Sequence, residues 1–387
     1  MERMPHSERS HFASDCVSSW RAINNGVVVK TARDRHKYWG HWVRYASLCK
    51  VDPFLDNIPS GEKDIILAAF AARVRTGTYG RATQIKVSGV QDALASITKT
   101  IQLAGKPSPL YRSDGIYTLV LERMIEGYRR EDPKAVPQLA VPITLPNMCY
   151  KAAMISPSPA IKASGQLCLI AFYYLLRVGE YTQPRFVLRN GTKHRSTRTK
   201  QFSTGNVEFF KNNLVLSRTA PLEVLLTADA ATLKISNQKN GRMGDTIHQR
   251  AITSDCCPVK ALAHRAHHIL SNGGNSETLL CSYMQDDVFH TVNSQSIIKI
   301  LRASASILKL EKQNIDPDLI GAHSLRAGGA MALRLHGYDD TTIQKMGRWT
   351  SNTFLQYIHT QIAHLSKDIS EKMSIPLPFL NIAAIET

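Results

Sequence analysis

Apolar residues recur every three or four positions through most of the first 130 residues. The spacing is clearest in residues 62–76 (EKDIILAAFAARVRT), and residues 15–49, 81–104 and 115–129 repeat it. This period predicts amphipathic helices that bury one face. No convincing strand pattern occurs before residue 140. We therefore predict that the chain begins with an all-helical domain.

Residues 130–146 break this pattern. The segment, REDPKAVPQLAVPITLP, holds four prolines and charges of both signs, a composition typical of an extended linker. We place a domain boundary within it. Residues 1–139 then form the first domain with its linker, and residues 140–387 form the second.

The second domain mixes helical and strand patterns. Residues 148–155, 165–176, 257–270 and 293–310 have helical spacing, whereas VEFF, LVLS and VLLT read as strands. The segments TLKIS and DTIHQRAI flank an Asn-Gly turn, which predicts a β-hairpin with Lys239 at its tip. The expected fold class is mainly α with a small antiparallel β-sheet.

The composition adds a strong positive charge. Lysine and arginine number 48 against 31 acidic residues, for a formal net charge of +17. This balance favours a polyanionic partner, most often nucleic acid; a basic protein without a specific anion is the alternative. The polar stretch 184–200 is either a contact to a phosphate backbone or a solvated loop, and such a loop can order on DNA. Its basic residues are Arg185, Arg189, Lys193, Arg195, Arg198 and Lys200.

Other features of the sequence indicate the cellular compartment and the redox state of the cysteines. No apolar run approaches the ~20 residues of a membrane span, and the N-terminus has no apolar signal region. The seven cysteines form no C-x-x-C pair, which favours free thiols in a reducing compartment. We expect a protein that is not secreted, located in the nucleus of a eukaryote or otherwise in the cytoplasm.

We interpret His264, His267 and His268 as a surface feature and predict no metal site, because no carboxylate or cysteine pair matches their spacing.

Two short motifs place an arginine three positions from a second functional side chain. HSLR puts His323 and Arg326 on one helical face, and YLLRVGEYT puts Glu180 after Arg177, where the carboxylate can hold a site residue in place. A guanidinium presents paired donors that match phosphate oxygens. The motifs together predict two arginine clamps and an imidazole around one phosphate. Each residue alone could equally be an ion pair or a satisfied core side chain.

Two aromatic residues follow downstream. Trp349 in GRWTS can donate a hydrogen bond but cannot accept a proton, and Tyr357 in FLQYIH is a candidate covalent nucleophile. The ordered set resembles the tyrosine recombinase/integrase family. That family carries an arginine within L-R-x-x-E, a hairpin lysine, H-x-x-R, a histidine or tryptophan, and a C-terminal tyrosine. The resemblance spans residues 140–360. The ending GRWTSNTFLQYIH looks most like the branch carried by Crypton-like and DIRS-like mobile elements.

The resemblance implies a reaction and its partners. A helical core-binding domain and a catalytic domain would clamp double-stranded DNA from opposite sides. The chain would break and rejoin that DNA for a mobile element, through a 3′-phosphotyrosyl link and without a metal or nucleotide cofactor. A homodimer would occupy each site, and a homotetramer would form in synapsis. The implied catalytic residues are Arg177, Lys239, His323, Arg326, Trp349 and Tyr357, with Glu180 in support.

Several alternatives stay open on the sequence alone. Lys234 rivals Lys239 as the hairpin lysine. A type IB topoisomerase uses the same kinds of residues, and a DNA-binding protein derived from a recombinase would keep the fold without cutting. The C-terminal tail either docks on a neighbouring protomer, as the family's last helix often does, or folds onto its own domain. Its apolar residues include Leu377, Phe379, Leu380 and Ile382.

Overall fold

The chain divides into two compact units, Met1–Ala135 and Val136–Thr387, in a computed structural model. The residues that the structure describes are 6–27, 29–80, 84–111, 117–133, 139–184, 186–189, 192–195, 201–235, 244–349 and 355. Within them, no helix is both long and apolar enough to span a membrane.

The first unit is helical, as its sequence period predicts. Helices α2 to α5 pack around Trp42, Phe70 and Leu94, all of which are fully buried. An isolated bridge between Tyr111 and Tyr117 is the only strand pairing among the described residues of this unit. The helices are α1 (His6–Asn25), α2 (Val29–Leu48), α3 (Ser60–Arg75), α4 (Val87–Leu103) and α5 (Leu119–Glu131).

The second unit is built around one helix that is buried on every side. This helix, α7 (Pro159–Tyr173), is buried without interruption from Ala163 to Phe172. A helix that is apolar all round belongs in the interior of a domain, and α7 contacts five other helices of the unit. The remaining helices are α6 (Thr144–Ile155), α8 (Val178–Tyr181), α9 (Leu222–Leu225), α10 (Pro258–Ser271), α11 (Ser294–Ile307), α12 (Ser324–Leu335) and α13 (Asp340–Gly347).

All strands of the second unit pair antiparallel. A four-stranded sheet has the order β4-β3-β5-β6, and two separate hairpins are formed by β1 with β2 and by β7 with β8. The fold class is therefore mainly α with small antiparallel sheets, as predicted. The strands are β1 (Phe186–Arg189), β2 (Thr192–Arg195), β3 (Val207–Lys211), β4 (Leu214–Leu216), β5 (Ala230–Lys234), β6 (Thr246–Arg250), β7 (Ser282–Gln285) and β8 (Val288–Thr291).

The hairpin predicted around residue 239 is confirmed at its base. Strands β5 and β6 pair from Ala230 opposite Arg250 to Lys234 opposite Thr246. Its tip, residues 236–243, lies outside the described residues.

Two expectations about local structure were wrong. VLLT is not a strand: the helix α9 begins after Pro221 and buries Leu225. A proline near a helix start supplies a backbone angle that suits the first turn, and this outweighs the β-branched valine. The stretch 184–200 is not a simple loop, because β1 and β2 pair with Phe186 opposite Arg195. The sequence has an Asn-Gly pair between these strands, which is typical of a hairpin turn. The many basic residues of the stretch had favoured a loop instead.

The hairpin β7–β8 was not predicted. Its turn is formed by Asp286 and Asp287, which have φ angles of +50° and +57°. Two successive left-handed residues are the requirement of a type I′ hairpin turn. Aspartate tolerates this conformation better than most residues, but the pair Asp-Asp is a weaker sequence signal than Asn-Gly.

Small residues let α12 approach α7 closely, as the sequence AGGA at 327–330 predicts. A Cβ atom on Gly328 would lie 2.2 Å from the carbonyl oxygen of Val141, and one on Gly329 would lie 2.4 Å from that of Phe172. Any larger side chain would force the helices apart. This contact sets the distance between the N-terminal turn of α12, which carries Arg326, and the end of α7, which is followed by Arg177.

Candidate active site

The turn after α7 positions Arg177. Leu175, with a φ of +48°, ends the helical path, and Arg177 becomes the N-terminal cap of α8. The backbone N–H of Arg177 donates to Oε2 of Glu180 at 2.8 Å, and its Nη1 donates to Oε1 at 3.1 Å. Glu180 therefore holds both the backbone and the guanidinium of Arg177.

The start of α12 brings in the second arginine. His323 is the half-buried N-terminal cap of this helix, and Arg326 lies within the first turn with 2% of its surface exposed. Nη1 of Arg326 donates to the carbonyl of Leu175 at 2.6 Å, and its Nη2 donates to the carbonyl of Gly347. The arginine thus joins three segments that are far apart in the sequence.

A third arginine, Arg348, completes the cluster and was not among the sequence candidates. It follows α13 with a φ of +57°, and only 8% of its surface is exposed. Its Nη1 and Nη2 donate to Oε1 and Oε2 of Glu180, each at 3.1 Å. Nη2 also donates to the carbonyl of Leu175 at 3.1 Å. This is a two-pronged arginine–carboxylate pair, the geometry that gives the strongest ion pairs.

The three guanidiniums share their acceptors, and we call Arg177, Arg326, Arg348 and Glu180 the arginine cluster. The carbonyl of Leu175 accepts from Arg326 and Arg348, while the carbonyl of Arg348 accepts from Nη2 of Arg177 at 3.2 Å. Three positive side chains face one negative side chain, so the cluster has a net charge of about +2. A phosphate group is the kind of anion that such a charge and such donors suit.

Glu180 is ionised despite its burial. Burial raises the pKa of its carboxyl, but the charges of Arg348 and Arg177 outweigh this effect and lower the pKa below its usual value. A buried carboxylate needs paired cations and hydrogen bonds to stay charged. Glu180 has both, so it remains the anion that allows the arginines to lie together.

Trp349 packs directly on Arg326. The Arg326 guanidinium lies 4.3 Å from the centre of the indole ring, a cation–π contact. A Cβ on Gly347 would lie only 1.6 Å from the ring, so a glycine is required there. Trp349 also packs on a small apolar group that includes Ala330 and Ile343. Its position is therefore that of a packing residue that holds the Arg326 side chain in place.

The β5–β6 hairpin borders the cluster. A cavity of about 610 Å³ lies between the start of β6 and the end of α13. The rival lysine, Lys234, pairs instead with Glu208, 2.6 Å from Nζ to Oε1. Lys239 lies outside the described residues. The cavity is lined by Gly244, Asp245, Thr246, Thr341, Gln344, Lys345, Arg348 and Trp349.

The structure thus brings together Arg177, Glu180, Arg326 and Trp349, with His323 one turn before Arg326. Several predicted residues are not described: Tyr357 and Lys239, the side chains of Arg185, Arg189, Lys193, Arg195, Arg198 and Lys200, and the tail residues Leu377, Phe379, Leu380 and Ile382.

The histidines of α10 are half-buried, which corrects the expectation of a surface feature. Nε2 of His268 accepts the backbone N–H of Met284 at 3.1 Å, and burial with nearby cations lowers the His268 pKa to about 4. His268 therefore serves as a neutral acceptor. In the described part of the chain, no three or more His, Cys, Asp or Glu residues are grouped to hold a metal ion.

Comparisons with known proteins give a likeness of fold. Neither a protein-family model nor a curated protein sequence matches the chain. Among solved structures, it is similar to the Tn1549 transposon integrase in complex with transposon right-end DNA, with 10% identity, a TM-score of 0.45, and coverage of 92% of this chain and 98% of that one.

Two further similar structures are the XerH site-specific recombinase bound to palindromic difH substrate and the XerA recombinase. XerH shares 16% identity at a TM-score of 0.43, with coverage of 82% of this chain and 74% of that one. XerA shares 14% identity at a TM-score of 0.35, with coverage of 91% and 95%.

Proposed function

We propose that this chain is a tyrosine recombinase that breaks and rejoins double-stranded DNA through a 3′-phosphotyrosyl intermediate, in the service of a mobile element. The observation that carries the proposal is the arginine cluster, in which Arg177 and Arg348 share one buried carboxylate and Arg326 shares the carbonyl of Leu175 with Arg348. The net positive charge of +17 fits a polyanionic substrate.

The cluster suits a transition state that gains negative charge on phosphorus oxygens. Fixed guanidiniums stabilise such charge without having to reorganise during the reaction. Arg177 has 19% of its side chain exposed and is the more accessible of the two sequence-predicted arginines. Arg326 would act from deeper in the site, with its guanidinium held between Trp349 and two carbonyls.

The reaction requires two proton transfers, one from the attacking phenol and one to the departing 5′-oxygen. The phenol oxygen of Tyr357 would attack the phosphorus and form the new P–O bond. His323 would take the phenol proton, since Trp349 cannot accept one. Lys239 would protonate the departing 5′-oxygen as general acid. One phosphodiester bond is exchanged for another, so a 5′-hydroxyl from a second strand can reverse the step.

The test is covalent trapping of DNA. The substrate is a pool of random-sequence duplexes with a nick at one fixed position. Where cleavage falls a few nucleotides from the nick, the short fragment that carries the 5′-hydroxyl is lost, so the protein–DNA adduct accumulates and survives denaturant. We expect adducts with the wild-type chain and none with Tyr357→Phe, whose DNA binding should stay nearly unchanged. Tyr338→Phe is the matched control, because Tyr338 is a half-exposed phenol in the same unit.

The outcomes separate the candidate functions. Binding without any adduct from the wild type would favour a DNA-binding protein that no longer cuts. Relaxation of supercoils without joining of partner DNA would favour a type IB topoisomerase. An adduct that persists in Tyr357→Phe would place the nucleophile elsewhere. Arg326→Ala should lower the trapping rate by about 10²–10³, the typical loss for one oxyanion donor.

A further inference from the structure

Arg348 contacts the carboxylate that holds Arg177. Its guanidinium binds both oxygens of Glu180, and the same two oxygens accept from the backbone N–H and the Nη1 of Arg177. The position of Glu180, and through it the Arg177 side chain, therefore depends on Arg348.

The backbone of Arg348 reaches Arg177 by a second route. Its carbonyl accepts from Nη2 of Arg177 at 3.2 Å. The Nη2 of Arg348 and the Nη1 of Arg326 both donate to the carbonyl of Leu175. One residue thus contacts Arg177 directly and shares an acceptor with Arg326.

The conformation of Arg348 also points to a role. Its φ of +57° places it in the left-handed region at the end of α13, where glycine or asparagine is the usual residue. A left-handed conformation is unfavourable for a residue that carries a side chain. Strained residues of this kind persist where the surrounding contacts fix them, and they concentrate at functional sites.

We propose that Arg348 is a positioning residue for phosphate cleavage: it fixes Arg177 and Arg326 in place before DNA binds. The proposal rests on the function proposed above. The side chain of Arg348 is only 4% exposed, so it acts on the phosphate through the other two arginines. A preorganised pair of guanidiniums stabilises the transition state, whereas a displaced pair loses much of that effect.

The test compares two substrates and two arginines. Arg348→Lys keeps the charge but loses the planar fork that binds Glu180 and Leu175 together. Each variant is assayed for its single-turnover trapping rate on a nicked duplex whose cleavage position has been read from the adducts of the wild-type chain, once with a normal scissile phosphate and once with a methylphosphonate there. The methyl group replaces a charged oxygen, so the misplacement of Arg177 and Arg326 matters less on that substrate.

Arg265 supplies the matched control. It is fully buried on α10 and donates to the carbonyls of Leu280 and Ser282 and to Gln166, outside the arginine cluster. Arg265→Lys should lower the unfolding temperature and yet leave the trapping rate within about threefold of wild type on both substrates, at a temperature where the protein is folded. It therefore reports the effect of losing a buried arginine as such.

For Arg348→Lys we expect a trapping rate about 10–100-fold lower on the phosphodiester and a loss of less than about threefold on the methylphosphonate. Arg348→Gln removes the positive charge but can still donate to Glu180 through its amide, and it should show the same contrast if the lysine variant does not fold. Equal losses on the two substrates, an unchanged rate on the phosphodiester, or the same contrast in Arg265→Lys would overturn the proposal. Absence of trapping by the wild type would instead refute the proposed function, and the role of Arg348 with it.

Discussion

Replacing Glu180 by glutamine tests the electrostatic account of the arginine cluster. The change preserves the size of the side chain and one oxygen acceptor but removes the only negative charge in the cluster. Glu180 is 5% exposed and Arg348 is 4% exposed, so water screens their contact little. Breaking a buried ion pair by removing one partner costs about 3–5 kcal/mol. We expect the unfolding free energy at pH 7 to fall by about that amount.

The pH dependence of this loss identifies its cause. The pKa of Glu180 is lower in the folded protein than its usual value of 4.5. Its charge therefore contributes stability that is fully present above pH 4.5 and is lost as the pH falls through the folded-state pKa. The difference between wild type and Glu180→Gln should be largest at neutral pH and should shrink below pH 4.5.

Urea unfolding at a series of pH values, followed by circular dichroism and tryptophan fluorescence, measures this difference. Glu208→Gln is the matched control, because Glu208 pairs with Lys234 at 2.6 Å while the two side chains are 28% and 53% exposed. An exposed pair contributes about 0–1 kcal/mol. If Glu180→Gln lost no more stability than Glu208→Gln, or lost the same amount at every pH, the charge of Glu180 would not be what holds the cluster.

Three further variants test the packing and a half-buried histidine. Gly347→Ala should displace the Trp349 ring and reduce DNA trapping at least tenfold, because the new Cβ would lie 1.6 Å from the ring; Gly127→Ala, with no atom near its Cβ, should leave trapping unchanged. Gly328→Ala should lower the unfolding free energy by about 1–3 kcal/mol in urea titrations, because the added methyl clashes with the Val141 carbonyl. His268→Gln should lose less stability than wild type as the pH falls from 6.5 to 4. The folded-state pKa of His268 is about 4 against an ordinary 6.5, so only the unfolded chain takes up a proton in that range. An equal acid response in wild type and His268→Gln would contradict the buried neutral imidazole.

The sequence predicts the elements better than it predicts how they meet. The period of residues 62–76 identifies α3 because one face of that helix is buried, and the Asn-Gly turn identifies the β5–β6 hairpin because few residues adopt its backbone angles. The strand predicted at VLLT fails because a local apolar run does not distinguish a strand from a buried helical turn.

The site residues fall into two groups: those that a local motif identifies and one whose role depends on the folded structure. Arg177, Glu180, His323 and Arg326 lie in short motifs whose spacing is visible in the sequence. Arg348 binds Glu180 from a distance of 168 residues along the chain, and no spacing rule links two residues so far apart. Its left-handed backbone and its burial between Glu180 and Leu175 are properties of the folded chain.

Arg265, a buried arginine outside the cluster, shows what a buried arginine needs when it only joins structural elements. Arg265 is satisfied by Gln166 and backbone carbonyls, at the expense of a pKa that burial lowers to about 10. An arginine that only joins structural elements can therefore be accommodated singly, with neutral partners. In the cluster, by contrast, two guanidiniums share the Glu180 carboxylate, and the third lies beside them on the carbonyls of Leu175 and Gly347, although like charges repel. Fixed guanidinium donors at this spacing suit the oxygens of a phosphate, and a phosphate bound there would reduce the repulsion between the arginines.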